Sequence, residues 1–268
     1  FKFMSDGKTK TEIALEDQVI IRGHGNRIGA GALAAPCDRQ IWYKWRWHKK
    51  DTITPRVKRL FGRGNQEEQV VYAELEDIGI EILEKQGHAT FVHGHCGGMH
   101  DGIILGVPDA PKTKHILEIK TSNNKGFARM KKYKLKKAST SYYLQVQIYM
   151  HIFKITRALF IMTCKETDER YYERVRPDKE VVKKALERAE NIITSELPPP
   201  KISEDASQYP CRFCLFQDIC HLGKPVEKNC RTCKSLDVHD DGIWKCSKKG
   251  KERSKKQQLK GCKKWEHY

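Results

Sequence analysis

Apolar positions recur every three or four residues at Val71, Leu75 and Ile78, and again at Leu144, Ile148 and Ile152. That period predicts helices over residues 60–82 and 142–153. Between them the pattern changes to short β-branched runs, Ala89–His95, Met99–Val107 and His115–Ser122, separated by turns that contain Gly or Pro. These predict a meander of strands. Further strands are expected over Ala158–Lys165 and Arg170–Arg176, and a last helix runs from Asp178 to Leu197, where Pro198-Pro199-Pro200 stops it. Upstream, Asp38–Lys50 (DRQIWYKWRWHKK) predicts a helix rich in Trp and Arg. The sum is an α/β fold with a central mixed β-sheet flanked by helices.

No apolar run approaches the ~18–20 residues that span a bilayer, so a membrane protein is not expected. The 268 residues allow one large domain with an appendage. Gly223-Lys224-Pro225 marks the boundary, dividing the chain into 1–223 and a tail of 224–268. The 51 Lys and Arg residues against 34 Asp and Glu leave a net charge of +17, a surplus that points to a polyanion, with nucleic acid ahead of an anionic membrane. Much of it sits in the tail, which carries 14 basic and 6 acidic residues. The chain opens at Phe1 without an initiator Met and shows no charged–apolar–small leader, so export is not expected.

Ten cysteines in a chain with no visible route to an oxidising compartment suggest metal ligation. Cys211, Cys214 and Cys220 form C-x2-C-x5-C with Cys37 far upstream, whereas Cys230, Cys233, Cys246 and Cys262 form C-x2-C-x12-C-x15-C. Four thiolates suit either an iron–sulfur cluster or structural zinc, and their chemistry alone does not separate the two. For the tail, short of apolar residues, structural zinc supplies the staple it needs to fold. Cys96 and Cys164 fall in predicted strands as packed thiols.

In HILEIK (115–120), strand alternation puts Glu118 and Lys120 on one face and Leu117 and Ile119 on the other. One strand earlier Asp101 precedes Gly102, which leaves room for close approach, so Asp101 and Glu118 are expected to converge. Two convergent carboxylates suit Mg2+ or Mn2+, with a lysine beside them to position water or neutralise a phosphate. That is the chemistry of phosphodiester hydrolysis.

With D101-G, E118-I-K120 on the page, the sequence resembles the PD-(D/E)XK nuclease superfamily, with its restriction-endonuclease-like core, and within it the RecB-like exonuclease branch. Gly64-Asn65-Gln66-Glu67-Glu68 sits where that branch carries G-H-x-x-E. Helix geometry does not choose between Glu67 and Glu68, each about 50° from the centre of the apolar stripe. The family spacing selects Glu68 as a metal-site acid, while Asn65 replaces a histidine that contacts metal in many members. Gln145 and Tyr149 match the signature Q-x-x-x-Y and lie side by side at i, i+4. The resemblance implies that Glu68, Asp101, Glu118 and the Ile119 carbonyl hold Mg2+ or Mn2+, that Lys120 positions water, and that Gln145 and Tyr149 contact DNA or orient the lysine. Cys37 with Cys211, Cys214 and Cys220 resembles the pattern of the CRISPR-associated RecB-like family and the AddB subunit, which implies a [4Fe-4S] cluster. The cysteine-rich tail resembles modules of phage and prophage nucleases, which implies a bacterial cytoplasm, a recombination or replication protein as partner, and room for an oligomer.

Lys125–Lys137 (KGFARMKKYKLKK) has seven basic residues and no acid, and reads as a mobile loop that tracks phosphate through Lys125, Arg129, Lys131, Lys132 and Lys134. Trp42, Tyr43, Trp45 and Trp47 are candidates for stacking on unpaired bases or for packing the core. The expected activity is a metal-dependent DNA exonuclease. A non-catalytic DNA-binding module, an endonuclease and a CRISPR-adaptation trimming enzyme are the competing readings.

Overall fold

The computed structural model describes residues 7–268, so the first six residues of the 1–223 unit lie outside the described residues. In chain order its elements are α1 (Lys10–Glu16), β1 (Ile20–Ile21), β2 (Ile28–Gly29), α2 (Asp38–Trp45), β3 (Thr52–Ile53), α3 (Pro55–Asp77), β4 (Glu81–Lys85), β5 (His88–Phe91), β6 (Cys96–Met99), β7 (Gly102–Leu105), β8 (His115–Ser122), α4 (Asn124–Ala138), α5 (Thr140–Ile152), β9 (Ala158–Cys164), β10 (Arg170–Val175), α6 (Lys179–Thr194), α7 (Gln217–Leu222), β11 (Leu236–Val238), β12 (Trp244–Cys246), β13 (Lys251–Glu252) and α8 (Lys255–Lys260). No helix among the described residues is long and apolar enough to cross a membrane.

The principal sheet has the order β10-β9-β8-β7-β4. Only β8 and β9 run parallel, with Glu118 opposite Phe160 and Lys120 opposite Met162. A parallel pair needs a long crossover, and α4 and α5 supply it. On one face α3 packs Val71, Tyr72 and Leu75 against Leu117, Ile119, Leu159 and Ile161. On the other, α5 and α6 cover Ile116 and Phe160. The sheet is therefore mixed and covered on both sides, as the α/β reading expects. The face that carries Glu118 is itself buried, beyond what strand alternation alone conveys.

Several expected elements are differently bounded. The second helix starts at Pro55, where the Thr54 hydroxyl accepts from the Val57 N–H at 3.4 Å. It ends before Gly79, whose φ of +81° turns the chain into β4, so residues 81–82 belong to a strand. Ile78 is 64% exposed, and the buried stripe is Val71, Tyr72 and Leu75. Of the expected meander, β7 and β8 pair in the main sheet, whereas β5 and β6 form a separate small sheet with β2. The basic run 125–137 is not a mobile loop but α4: the Asn123 side chain caps it by accepting from the Gly126 N–H at 2.9 Å, and Phe127, Met130, Leu135 and Ala138 are buried. Trp42, Tyr43, Trp45 and Trp47 are all buried, so they pack the core rather than meet unpaired bases.

Residues 224–268 form the small antiparallel sheet β11-β12-β13, with β12 central, and α8. They lean on the rest of the chain: Cys230, Leu236 and Trp244 belong to the same apolar cluster as Trp42 and Trp45. Across this junction His93 sits between Asp240, 2.6 Å from Nδ1, and Glu190, 2.9 Å from Nε2. Both carboxylates, Glu190 first, raise its pKa. A histidine raised in the folded state contributes its full stabilisation below the unfolded value of about 6.5, and that stabilisation is lost as pH rises through the raised native value. His93→Gln is accordingly expected to lose stability relative to wild type at pH 6 to a greater extent than at pH 9, read by thermal unfolding. A constant difference across that range would remove His93 as a titrating clamp.

Candidate active site

The charged groups of the site are brought together chiefly by the β7–β8 hairpin. Asp101, the residue before β7, is clamped by backbone: its N–H donates to the Leu117 carbonyl at 3.2 Å, its Oδ2 accepts from the Ile119 N–H at 2.6 Å, and its carbonyl accepts from the Tyr72 hydroxyl at 2.5 Å. Gly102 makes the approach feasible, since a Cβ there would stand 3.2 Å from the Glu84 carbonyl and 3.5 Å from Leu117. Asp101 therefore points at β8, where Glu118 and Lys120 share a face.

The Lys120 ammonium contacts the Glu118 carboxylate, lies 3.7 Å from Asp101 Oδ2 and donates to the Ile119 carbonyl at 3.0 Å. It thus touches three of the groups expected to hold a cation. Glu118 is completely buried, with its carboxylate set against the Lys120 ammonium. Burial is the first cause that pushes its pKa up, to about 7, with the charges of Asp101 and Glu68 adding to it against Lys120. Burial alone would lower the Lys120 pKa, but Glu118 and Asp101 outweigh it and raise it. Glu68, on α3, is raised by burial and then by Asp101, and its Oε2 accepts from Gln86 Nε2 at 3.2 Å.

The two helix acids have different neighbours. Glu67 turns to Arg170, 2.8 Å away, and to the Thr163 hydroxyl at 2.9 Å, whereas Glu68 faces Asp101 and Lys120. Asn65 is exposed. On α5, Gln145 Nε2 donates to the Tyr149 hydroxyl at 3.3 Å. Tyr149 is buried and Gln145 only half-buried, so of the two only Gln145 can reach a substrate directly. Burial, then Glu118, lifts the Tyr149 pKa to about 12. Gly98 permits this packing, because a Cβ there would lie 2.3 Å from the Tyr149 oxygen.

Sequence reasoning missed Tyr72, which holds Asp101, Gln86, which pairs with Glu68, and Tyr142, whose ring lies 5.6 Å beneath the Lys120 ammonium. Tyr72 is one helical turn beyond Glu68, and Tyr142 is three residues before Gln145, so helical spacing offered a signal for both. The outer face of α4 presents Lys125, Arg129, Lys131, Lys132 and Lys134 as exposed side chains, with Lys131 held 3.4 Å from Glu169. This face begins directly after β8.

All ten cysteines are free thiols. Cys37, Cys211, Cys214 and Cys220 line one small cavity, and Cys230, Cys233, Cys246 and Cys262 line another. Among the described residues, no three Cys, His, Asp or Glu side chains close on a common point tightly enough to hold an ion as they stand. The acids at Lys120 surround its ammonium instead. The donor sets nevertheless fit: several carboxylate oxygens around a completely buried Glu118 suit a hard cation, and two separate groups of four thiols suit zinc or iron–sulfur chemistry.

The site thus sets an Asp just before β7, a Glu and a Lys on β8 and a further Glu on α3 against one mixed sheet. Residues 28–158 match the family described as the YqaJ-like viral recombinase domain, a stretch that includes Glu68, Asp101, Glu118, Lys120, Gln145 and Tyr149 but ends before Cys211. No curated protein matches the chain. Among solved structures, the alkaline exonuclease LHK-Exo from Laribacter hongkongensis is similar at 15% identity and a TM-score of 0.47, over 63% of this chain and 87% of that one. A phage related exonuclease from Haemophilus somnus 129PT is similar at 18% identity and a TM-score of 0.37, over 50% of this chain and 70% of that one. The structure of SSO0001 is similar at 18% identity and a TM-score of 0.41, over 73% of this chain and 86% of that one.

Proposed function

We propose that the protein is a metal-dependent DNA exonuclease of phage type, acting in recombination, repair or DNA processing in a bacterial cytoplasm. The observation that carries this reading is the gathering of three acids, the fully buried Glu118 with Asp101 and Glu68, around a single Lys120 ammonium. One ammonium does not balance three carboxylates in a largely buried site, and a bound cation would supply the missing positive charge. Glu68, Asp101, Glu118 and the Ile119 carbonyl would hold Mg2+ or Mn2+, which would supply Lewis-acid polarisation of the phosphate and a more acidic water. Lys120 would position that water and neutralise charge on the phosphate. Gln145 would meet substrate, and Tyr149 would hold Gln145 and the Glu118 side of the site from beneath. The match of residues 28–158 to a viral recombinase domain supports the reading, as does the basic face of α4 for a DNA backbone.

The test incubates the protein with end-labelled linear and closed-circular DNA, single- and double-stranded, with Mn2+, Mg2+ or EDTA. Loss of linear DNA alone, dependent on metal, is expected. Nicked circles would replace the exonuclease with an endonuclease, and binding without cleavage would favour a non-catalytic module. The pH profile is a second check. Because Glu118 holds its proton up to about 7, cation binding competes with that proton, and cleavage at limiting metal is expected to rise as pH passes through that value. Raising the metal concentration should move the rise to lower pH. A profile flat across neutrality would separate Glu118 from metal binding.

For the cysteines we propose a [4Fe-4S] cluster at Cys37, Cys211, Cys214 and Cys220, and Zn2+ at Cys230, Cys233, Cys246 and Cys262. Support comes from the gathering of each set around one cavity and from the freedom of all eight thiols. Anaerobic purification followed by iron, sulfide and zinc analysis tests both. Zinc in both sets would replace the cluster.

A further inference from the structure

The C-terminal segment meets the rest of the chain along a groove of about 460 Å³. Asn26, Arg27 and Gly94 form one wall, and Glu252, Arg253 and Lys255 the other. Arg231, 2% exposed, lies between them. Its guanidinium stacks 3.9 Å from the centre of the Trp47 ring and 4.5 Å from that of Trp244, and donates to the Asn26 and Trp45 carbonyls and to Gln258 Oε1. Every one of these partners is neutral. The second buried guanidinium beside it, Arg46, donates to the Arg231 carbonyl at 3.4 Å and brings another positive charge. Arg27, Arg231, Arg253 and Lys255 thus face a single acid, Glu252.

A buried cation left without a counter-charge is expensive, and a concave surface of one sign concentrates ions of the other. Aromatic rings and carbonyls hold Arg231 in place but do not neutralise it. We infer that this groove binds the phosphate backbone of a nucleic-acid strand, as a contact remote from the candidate active site. The inference rests on the nuclease reading for its substrate. β6 connects the two places: Gly94 lies on the groove just before it and Asp101 on the site just after it. Seven residues at ~3.3 Å each put them no more than about 23 Å apart along the chain. A strand of ~30 nucleotides is therefore long enough to meet Lys120 and the groove at once.

The experiment measures fluorescence anisotropy of labelled single strands of ~30 and ~4 nucleotides in EDTA, so that the longer can engage the groove as well as the site and the shorter offers only a few phosphates. The variant is Arg27→Gln with Lys255→Gln, two exposed side chains, and an unchanged melting temperature reports its fold. The long strand is expected to bind at least ~10-fold more weakly, with a salt slope shallower by about 1.4, the value for two lost phosphate contacts on a single strand. Binding of the short strand should not change, and Arg27→Lys with Lys255→Arg should bind the long strand as wild type does. An unchanged affinity and slope for the long strand, or an equal loss for both lengths, would overturn the inference. Because binding is read without cleavage, the two readings fail separately. A protein that cleaves nothing yet loses long-strand affinity in the variant keeps the groove, whereas one that cleaves normally and binds both lengths unchanged in the variant keeps only the nuclease.

Discussion

Lys120→Ala is expected to fold and to bind DNA, yet to cleave at least ~100-fold more slowly, a loss of about 2.7 kcal/mol of transition-state stabilisation. The expectation follows from the position of its ammonium, against Glu118, 3.7 Å from Asp101 and above the Tyr142 ring. No other basic side chain occupies that point among the described residues, so no neighbour can take its place. Removing it also leaves Glu118, Asp101 and Glu68 with no positive charge between them, which raises the tendency of Glu118 to stay protonated. The variant should therefore bind cation with a steeper dependence on pH, and its residual activity should recover in part at alkaline pH. Single-turnover cleavage at matched, saturating metal separates the two effects. Equal rates for wild type and variant would remove Lys120 from the chemistry.

The second large effect is expected at the tail. Cys230→Ser with Cys233→Ser should detach residues 224–268 from the rest of the chain, because that segment has few apolar residues of its own and leans on Trp244, Leu236 and Cys230 for its share of the core. Trp42, Trp45 and Trp244 crowd around the Arg46 guanidinium, within 6 Å of it, so their loss of contact changes the fluorescence of several tryptophans at once. The expected result is a red-shifted emission, rapid proteolysis within the tail and loss of zinc, with the principal sheet still folded by circular dichroism. A variant as resistant to protease as wild type would show that packing alone holds the segment. Comparable unfolding of the principal sheet would show that the tail is part of one cooperative unit.

The strand that carries Glu118 and Lys120 was legible because a period of two is robust: HILEIK places its charges on one face whatever surrounds it, and β8 has the bounds read from the sequence. Convergence of Asp101 was legible through Gly102. α4 was not, since seven basic residues hide the spacing of Phe127, Met130 and Leu135, and local charge says little about which face is buried. β4 was missed because EILEK continues a helical pattern, and the turn that ends the helix depends on a single glycine at positive φ. The tryptophans of α2 were ambiguous for a different reason. Arg46 lies among them and suggests an exposed, nucleic-acid-facing helix, yet here the guanidinium is itself buried between rings, and its partners reach as far along the chain as Trp244 and Tyr268, beyond any local pattern.

The parallel pairing of β8 with β9 has a consequence for the growing chain. Asp101, Glu118 and Lys120 all belong to one antiparallel hairpin that can form early from neighbouring residues, whereas β9 arrives only after the crossover helices α4 and α5. Until then Glu118 stands in water rather than in the interior it occupies in the finished fold. A partly synthesised or partly unfolded copy therefore carries Asp101, Glu118 and Lys120 without the buried surroundings that the complete sheet gives them.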